Sequence, residues 1–451
     1  ELSTKNALWF KELIFNHYSR NYNFKKRSFI GLFLFLVLNN PMMYSMALHP
    51  RIVSVEFTGN KKTLDYIIER EIQHKIDVPL DSVVANEDRN RLENLGLFSE
   101  VIWNIIPMDA ERAILSFVLS ESIQRTPPGA FPIYEEDTGW SFMGAWIFQN
   151  FRGRNQILHL NGSIGGKDTY GVSFLDPWMF GNHVSLSLNL SRLIYNHNFL
   201  DMQIDVNSFE IGLGKWFGDF IKTSTSIEIE KKSYSDKQIL DTFFYIAPRF
   251  SIKYDTRDIY WNPSKGVLLS QFIYYRKGID PKNYNMTIWR QSYSIYYKIN
   301  STKKKLVLAF NIKSKFKYGV KDQYDLNYFG DSFTVRGWSL PDNNLFSSGK
   351  ETFRFGHESA QATVELRKDI IPKYVTKLGT EFGLGIVAFY DIGTINHSWD
   401  RIIKMSPMSS AGIGIRIPAP MLDVIRLDYG WGYKDGEWNS GALHLGFEQK
   451  F

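Results

Sequence analysis

Cysteine is absent from all 451 residues of this chain. Its absence excludes a disulfide-stapled scaffold, a thiolate metal site and a lipid-modified N-terminal cysteine. Long apolar runs are also scarce, since no stretch beyond the N-terminus reaches the roughly eighteen apolar residues that a membrane-spanning helix needs. The formal net charge of +6 is small for this length and gives no argument for a nucleic-acid partner.

The motifs of common enzymes are missing as well. The sequence has no G-x-S-x-G elbow, no phosphate-binding loop and no metal-ligand spacing, and its nine histidines are scattered. We therefore expect no enzymatic activity, no cofactor and no metal.

Aromatic residues (16%) and glycines (33) are, in contrast, abundant. From Ile123 onward, apolar and polar residues alternate with period two. In residues 424–433 one face carries Ile425, Leu427, Tyr429, Trp431 and Tyr433, and the other carries Arg426, Asp428, Gly430 and Gly432. A soluble β-sandwich also alternates, but its outer face would not be so uniformly aliphatic and aromatic. The pattern therefore predicts a transmembrane β-barrel.

The alternating segments predict about sixteen antiparallel strands. Their predicted starts are near Gly129, Phe142, Gln156, Thr169, His183, Asn207, Lys222, Ala247, Gly266, Ile288, Leu306, Ser359, Glu381, Met408, Leu422 and Gly441. Connections after even-numbered strands are mostly short, as at 179–181 and 300–304, whereas those after odd-numbered strands are often long, as at 193–206. An even count with this asymmetry predicts that both barrel ends lie on the periplasmic side.

The N-terminus has the layout of a secretory signal peptide. Basic residues 25–27 precede an apolar run at 29–38, and Ser45 and Ala47 supply small residues two apart, so we predict cleavage after Ala47. The alternative is a membrane anchor, but the apolar run is too short to span. Residues 1–47 are thus interpreted as an upstream segment and signal peptide.

Residues 51–121 carry the pattern of a small α+β module. A strand ends at Gly59-Asn60, helices follow at 63–72 and 82–95, and a hairpin joins 101–106 to 113–119. The β-α-α-β-β order, with Leu95-Gly96-Leu97-Phe98 after the second helix, resembles a POTRA domain. We assign residues 48–122 to one such domain and residues 123–451 to the barrel.

The interval 318–358 is too long for an ordinary connection between strands. Its centre, residues 327–340, places apolar side chains around Val335, Arg336, Gly337 and Trp338. Such residues predict a loop packed against other parts of the protein, in which a buried arginine needs a counter-charge. The alternative is a surface hairpin tip with a chance arginine.

Several motifs carry a resemblance to a known superfamily. They are FRG (151–153), LDPWMFG (175–181), YDTRD with NPSKG (254–266), VRGW (335–338), FYDIG (389–393), AGIGIRIPAP (411–420) and IRLDYG (425–430). In this order, behind a POTRA-like module, they resemble the outer-membrane insertase superfamily that includes BamA, TamA and the TpsB translocases. The fold implied is mainly β: a transmembrane barrel preceded by one α+β POTRA domain.

In that superfamily the VRG loop docks in the barrel lumen, and its arginine contacts acidic and aromatic residues of the next two strands. Alternation points Glu365, Phe389 and Asp391 inward on those strands, so we expect Arg336 to pair with both carboxylates and to stack on Phe389. The alternative is that both carboxylates line a wet lumen.

The resemblance implies an assembly factor that inserts outer-membrane β-barrels through a lateral seam. A secretion translocase and a passive diffusion pore are the alternatives. We place the seam between the first strand, near residues 129–134, and the last, from Gly441 to Phe451, because Pro132 lacks a donor and Gly441 and Gly446 lack packing side chains. The terminal aromatic residue, Phe451, is part of the resemblance to this superfamily. Expected partners are unfolded outer-membrane clients, outer-membrane lipids, and accessory lipoproteins or periplasmic chaperones.

Overall fold

The computed structural model describes residues 49–451, apart from 125–128, 136–137, 198, 237–239, 280–283, 301, 303, 322, 376–380 and 420–422. The predicted signal peptide and the residues before it lie outside the described residues. The chain divides into two compact units. Of the described residues, the first unit holds 49–55, 75–81 and 105–115, and the second holds 56–74, 82–104 and the chain from 116 onward.

The N-terminal elements follow the predicted β-α-α-β-β order with one addition. Their bounds are β1 (Arg51–Thr58), α1 (Asp65–Glu69), β2 (Val78–Pro79), α2 (Ser82–Asn94), β3 (Phe98–Pro107) and β4 (Arg112–Glu121), and the sheet order is β2-β1-β4-β3. The two-residue strand β2 was not predicted, because it is too short to show a period. The turn before β4 is fixed by the Asp109 carboxylate, which accepts hydrogen bonds from the amides of Glu111 and Arg112.

Sixteen antiparallel strands form the barrel wall, which confirms the predicted count. They are β5 (Gly129–Glu135), β6 (Gly139–Phe151), β7 (Gln156–Gly165), β8 (Lys167–Asp176), β9 (Val184–Asn196), β10 (Gln203–Phe217), β11 (Ile221–Ser235), β12 (Leu240–Asp255), β13 (Gly266–Gly278), β14 (Met286–Lys298), β15 (Leu306–Gly319), β18 (Glu358–Val375), β19 (Glu381–Asn396), β20 (Met408–Ala419), β21 (Asp423–Lys434) and β23 (Ala442–Phe447). A two-residue strand, β22 (Glu437–Trp438), pairs with β21. The order is that of a closed barrel, in which β23 neighbours β5.

The two faces of each strand differ as the alternation predicts. On β21 Leu427 and Trp431 are 41% and 42% exposed, whereas Arg426 and Asp428 on the opposite face are completely buried. Because successive side chains of a strand point to opposite faces, the exposed apolar set lies outside and the polar set lies in the lumen. Among the described residues, no helix is long and apolar enough to cross a membrane.

Several predicted boundaries were wrong, among them the strand start expected near Ala247, since β12 already begins at Leu240. The connection expected at 193–206 covers only 197–202, because β9 and β10 continue further than their alternation indicated. The last strand was expected to run from Gly441 to Phe451, but it covers Ala442–Phe447 and its final residues leave the wall. Glu448 adopts a positive φ of 64°, and this backbone conformation ends the extended run.

The long connection between β15 and β18 contains short elements of its own. They are a 3₁₀ turn (Gln323–Asp325), β16 (Asn327–Tyr328), α3 (Asn343–Ser347), a second 3₁₀ turn (Thr352–Arg354) and β17 (Phe355–Gly356). Strands β16 and β17 pair with each other, so the base of the loop is closed by its own hydrogen bonds. A further short helix, α4 (Trp399–Ile402), lies between β19 and β20.

Candidate functional site in the barrel lumen

A tight turn presents the Val335–Trp338 motif. The Asp331 carboxylate accepts hydrogen bonds from the amides of Phe333 (2.8 Å) and Thr334 (2.7 Å). The Thr334 hydroxyl in turn accepts one from the amide of Gly330 at 3.1 Å. These side-chain bonds replace regular secondary structure, so the short apolar segment after the turn keeps one conformation.

Arg336 is fully buried and contacts three carboxylates. Its Nε and Nη2 donate to the two oxygens of Asp391 at 2.8 and 3.0 Å, which is a bidentate pair. Its Nη1 donates to Glu365 at 2.8 Å and to Asp428 at 2.9 Å. Since a buried guanidinium is tolerated only when its donors are satisfied, this arrangement holds the loop in the lumen.

The ring of Phe389 lies 3.5 Å from the guanidinium carbon of Arg336, so the cation stacks on an aromatic face. Burial lowers the pKa of the Arg336 guanidinium, but the attraction of Asp391 and Glu365 outweighs burial, and the pKa is raised overall. The structure thus brings together Arg336, Glu365, Phe389 and Asp391, the four residues that the sequence placed in contact.

Gly337 brings the loop backbone against strand β21. It has a φ of +80°, and a Cβ at this position would lie 2.9 Å from the carbonyl carbons of Gly430 and Trp431. Strand β21 makes room in the same way, because a Cβ at Gly432 would lie 2.3 Å from the Trp338 ring. Lumen-facing glycines therefore form the recess into which the motif fits.

A small apolar cluster surrounds the motif. Phe329, Val335, Trp338, Ile395 and Met408 are all buried and pack together. The indole Nε1 of Trp338 donates to the carbonyl of Ser409 at 3.3 Å, so its polar edge is satisfied inside the cluster. The Val335 side chain belongs to this packing and makes no polar contact of its own.

Each carboxylate around Arg336 has a second cationic partner. Glu365 pairs with Arg367 at 2.8 Å and Asp428 pairs with Arg416 at 2.6 Å. Asp391 pairs with the Nζ of Lys450, also at 2.8 Å. Within the described part of the chain no group of acidic, histidine or cysteine side chains is placed to hold a metal ion, and the carboxylates here serve a network of ion pairs.

Comparison with known proteins identifies the family. Residues 150–451 match the Omp85 superfamily domain, and residues 50–122 match the POTRA family described as a surface antigen variable number repeat. The chain belongs to the Omp85 superfamily. It is 25% identical over 140 residues to the outer membrane protein assembly factor BamA of Neisseria meningitidis, a match covering 30% of this chain and 17% of that protein.

Two solved structures share the fold of this Omp85 protein. BamA from Haemophilus ducreyi lacking POTRA domains 1–3 has a TM-score of 0.54 at 15% identity, covering 88% of this chain and 83% of that one. CdiB from Acinetobacter baumannii has a TM-score of 0.52 at 14% identity, covering 89% of this chain and 73% of that one.

Sequence reasoning missed three partners of the loop in this Omp85 barrel. Asp428 completes the carboxylate set, His444 Nε2 accepts a hydrogen bond from the Gly337 amide at 2.9 Å, and Lys450 contacts Asp391 and donates to the carbonyl of Thr334. Alternation in residues 424–433 placed Asp428 on the polar face. All three residues follow the loop at much greater sequence distance than Glu365 and Asp391, so no local signal connected them to Arg336.

Three of the four predicted seam residues lie in or beside the neighbouring end strands β5 and β23. Pro132 is exposed on β5, Gly441 immediately precedes β23, and Gly446 lies within β23 opposite Arg426. Phe451 was wrongly placed at the seam. Its ring stacks on Tyr296 at 6.1 Å and lies 4.8 Å from the guanidinium of Arg367, because the terminal residues turn into the lumen.

Proposed function

We propose that this Omp85 protein is an outer-membrane insertase that assembles β-barrel proteins through a seam between β5 and β23. Membership of the Omp85 superfamily and the match to a BamA protein named as an assembly factor support this role. In this proposal the barrel spans the outer membrane and residues 48–122 form a periplasmic POTRA domain that receives unfolded clients.

The observation that carries the proposal is the shortness of the two end strands. Strand β23 has 6 residues and β5 has 7, whereas each of the other fourteen wall strands has between 10 and 18. The joint between these two strands can therefore hold at most 6 paired positions, as few as the β21–β23 joint and fewer than most other joints of the wall. A short ladder costs less to open, and an opened strand edge is a template for an incoming strand.

The docked loop supports a seam that opens while the rest of the wall stays intact. Through Arg336 it binds side chains of β18, β19 and β21, and of these only β21 pairs with the last strand. Toward the C-terminus the Gly337 amide donates to His444 on β23, and Lys450, beyond the end of β23, donates to the carbonyl of Thr334. Separation of β23 from β5 would thus leave the arginine network in place.

A TpsB-like secretion translocase is the second candidate, because CdiB shares the fold at a TM-score close to that of BamA. Translocation through the lumen would require the loop to leave its recess and break the ion pairs of Arg336. A passive pore would require the same displacement. The insertase role needs no such step, and for this reason we prefer it.

A cross-linking experiment tests the seam. Because the chain has no cysteine, Pro132→Cys or Tyr134→Cys can be combined with Leu443→Cys or Leu445→Cys, and the fastest-forming disulfide is used. Vesicles with the oxidised protein should insert an unfolded outer-membrane client at least about tenfold more slowly than vesicles with the reduced protein, because the ladder no longer opens.

The matched control is a disulfide between Ile413→Cys and Tyr429→Cys. These residues are direct partners on β20 and β21, at a joint that the mechanism leaves closed. Insertion should be the same with this disulfide oxidised or reduced. Equal insertion rates for the oxidised and reduced seam, with cross-linking complete, would exclude the insertase mechanism and leave translocation and a passive pore as the remaining roles.

A further inference from the structure

A pocket of about 660 Å³ opens on the outer wall of the second unit, at the end of strands β6, β7 and β8 that faces residues 63–71. Its lining includes Tyr66, Phe151, Phe174 and Trp178. Phe174 occupies the same face of β8 as Tyr170 and Val172, which are 59% and 46% exposed on the lipid side. The pocket therefore lies outside the lumen, at the edge of the apolar belt.

Three arginines line this pocket, and their charges are poorly compensated. The side chain of Arg70 is only 11% exposed and its guanidinium carbon lies 4.2 Å from the Trp178 ring centre. Its Nε forms an ion pair with Glu71 at 3.5 Å, yet neither Nε nor Nη2 donates a hydrogen bond. Burial lowers the pKa of the Arg70 guanidinium despite Glu71, so this cation lacks adequate partners.

Arg152 and Arg154 occupy the turn between β6 and β7 and are both exposed. Within the described residues neither side chain forms an ion pair or donates a hydrogen bond, although the guanidinium of Arg152 lies 5.1 Å from the ring of Phe151. Asp176 is the one carboxylate in the described lining. It accepts hydrogen bonds from Gln156 at 2.6 Å and from the Trp178 amide at 2.8 Å, so its oxygens are already engaged.

An apolar groove of about 480 Å³ lies further along the same outer wall. It is lined by Trp146, Leu160, Tyr170, Val172 and Leu190, with Gly144 leaving space on β6. Tyr170 and Phe174 lie on the same strand, about 13 Å apart at the usual rise per residue. A cationic, aromatic pocket with an apolar groove at this distance has the layout of a polar headgroup joined to an acyl chain.

We propose that this pocket binds the phosphodiester of an anionic phospholipid, with an acyl chain in the groove. Arginine pairs with phosphate oxygens in bidentate geometry, and basic pockets at membrane interfaces bind anionic headgroups. The bound phosphate would satisfy the free donors of Arg70 and bridge them to the turn at Arg152 and Arg154. This inference rests on the membrane location proposed above and does not depend on insertase activity.

Native mass spectrometry of the full chain in detergent micelles tests the site, with phosphatidylglycerol as probe and phosphatidylcholine as competitor. Wild type should retain phosphatidylglycerol preferentially. The double variant Arg152→Gln/Arg154→Gln should lose about 30-fold in affinity, since each arginine near a lipid surface contributes about fivefold. Arg70→Gln should weaken retention of phosphatidylglycerol as well. Heat-modifiable gel mobility shows whether this variant still forms a folded barrel.

The matched control is Lys350→Gln/Lys404→Gln, which removes the same charge from exposed positions outside the pocket. This variant should retain the lipid like wild type. Equal lipid retention by the pocket variant and the control variant would overturn the proposal. So would equal retention of the two lipids combined with displacement by millimolar inorganic phosphate, because that result identifies a site for free phosphate. Client insertion is not measured, so a failure here is separate from a failure of the insertase proposal.

Discussion

Replacement of Arg336 by alanine should release the loop from the lumen. Breaking a buried ion pair from one side typically costs about 3–5 kcal/mol, because the remaining charge is left buried. Here every carboxylate keeps a second cation: Glu365 keeps Arg367, Asp391 keeps Lys450 and Asp428 keeps Arg416. We therefore expect the lower end, about 3 kcal/mol, or roughly a hundredfold change in the docking equilibrium.

Hydrogen exchange of the loop amides measures this change directly. In Arg336→Ala, protection of residues 329–340 should fall by about two orders of magnitude, since local opening governs exchange there. The protection of these residues in Arg336→Lys should lie between that of wild type and that of Arg336→Ala, because an ammonium group cannot reproduce the bidentate contact with Asp391. Arg401→Ala, at an exposed arginine, is the matched control and should leave protection unchanged.

Growth of cells that are depleted of the wild-type protein and supplied with a variant then connects loop docking to function. If docking supports assembly, Arg336→Ala should rescue growth poorly and Arg336→Lys only partly. If the hydrogen-exchange protection of residues 329–340 is the same in Arg336→Ala and in Arg401→Ala, the claim that the arginine network holds the loop is refuted.

Three further predictions concern other parts of the chain. Gly337→Ala should undock the loop in the same exchange assay, because its Cβ would overlap the β21 backbone, whereas Gly349→Ala, also at positive φ but with open space around it, should not. Deletion of residues 51–121 should leave a barrel with heat-modifiable mobility but slow client insertion; undiminished insertion would contradict the receiving role. Burial, with Arg70 nearby, lowers the pKa of His183 to about 4. As the pH falls below about 6.5, His183 is protonated in the unfolded chain before it is protonated in the folded chain. Thermal stability should therefore decrease toward pH 4, and this decrease should be less steep in His183→Gln.

Period-two alternation determined most of the wall. It gave the number of strands and assigned the side chains of β18, β19 and β21 to the correct faces, because a strand whose two faces meet lipid and a filled lumen needs opposite chemistry on them. It also identified Glu365, Phe389 and Asp391 as the inward residues that follow the loop. The superfamily resemblance supplied the expectation that the loop contacts the next two strands, and strand parity then selected which of their side chains point inward.

Only the tertiary structure decided what reaches the site from far along the chain. Asp428, His444 and Lys450 meet the loop because curvature of the sheet brings β21 and the C-terminal residues to the same recess, and strand parity carries no information about curvature. The terminal residues continued an alternating pattern but leave the wall at Glu448, and Lys450 and Phe451 make their contacts in the lumen instead. The arginine pocket likewise joins Arg70 to a turn more than eighty residues away. Local patterns determine strands and faces, whereas contacts across the barrel depend on how the sheet closes.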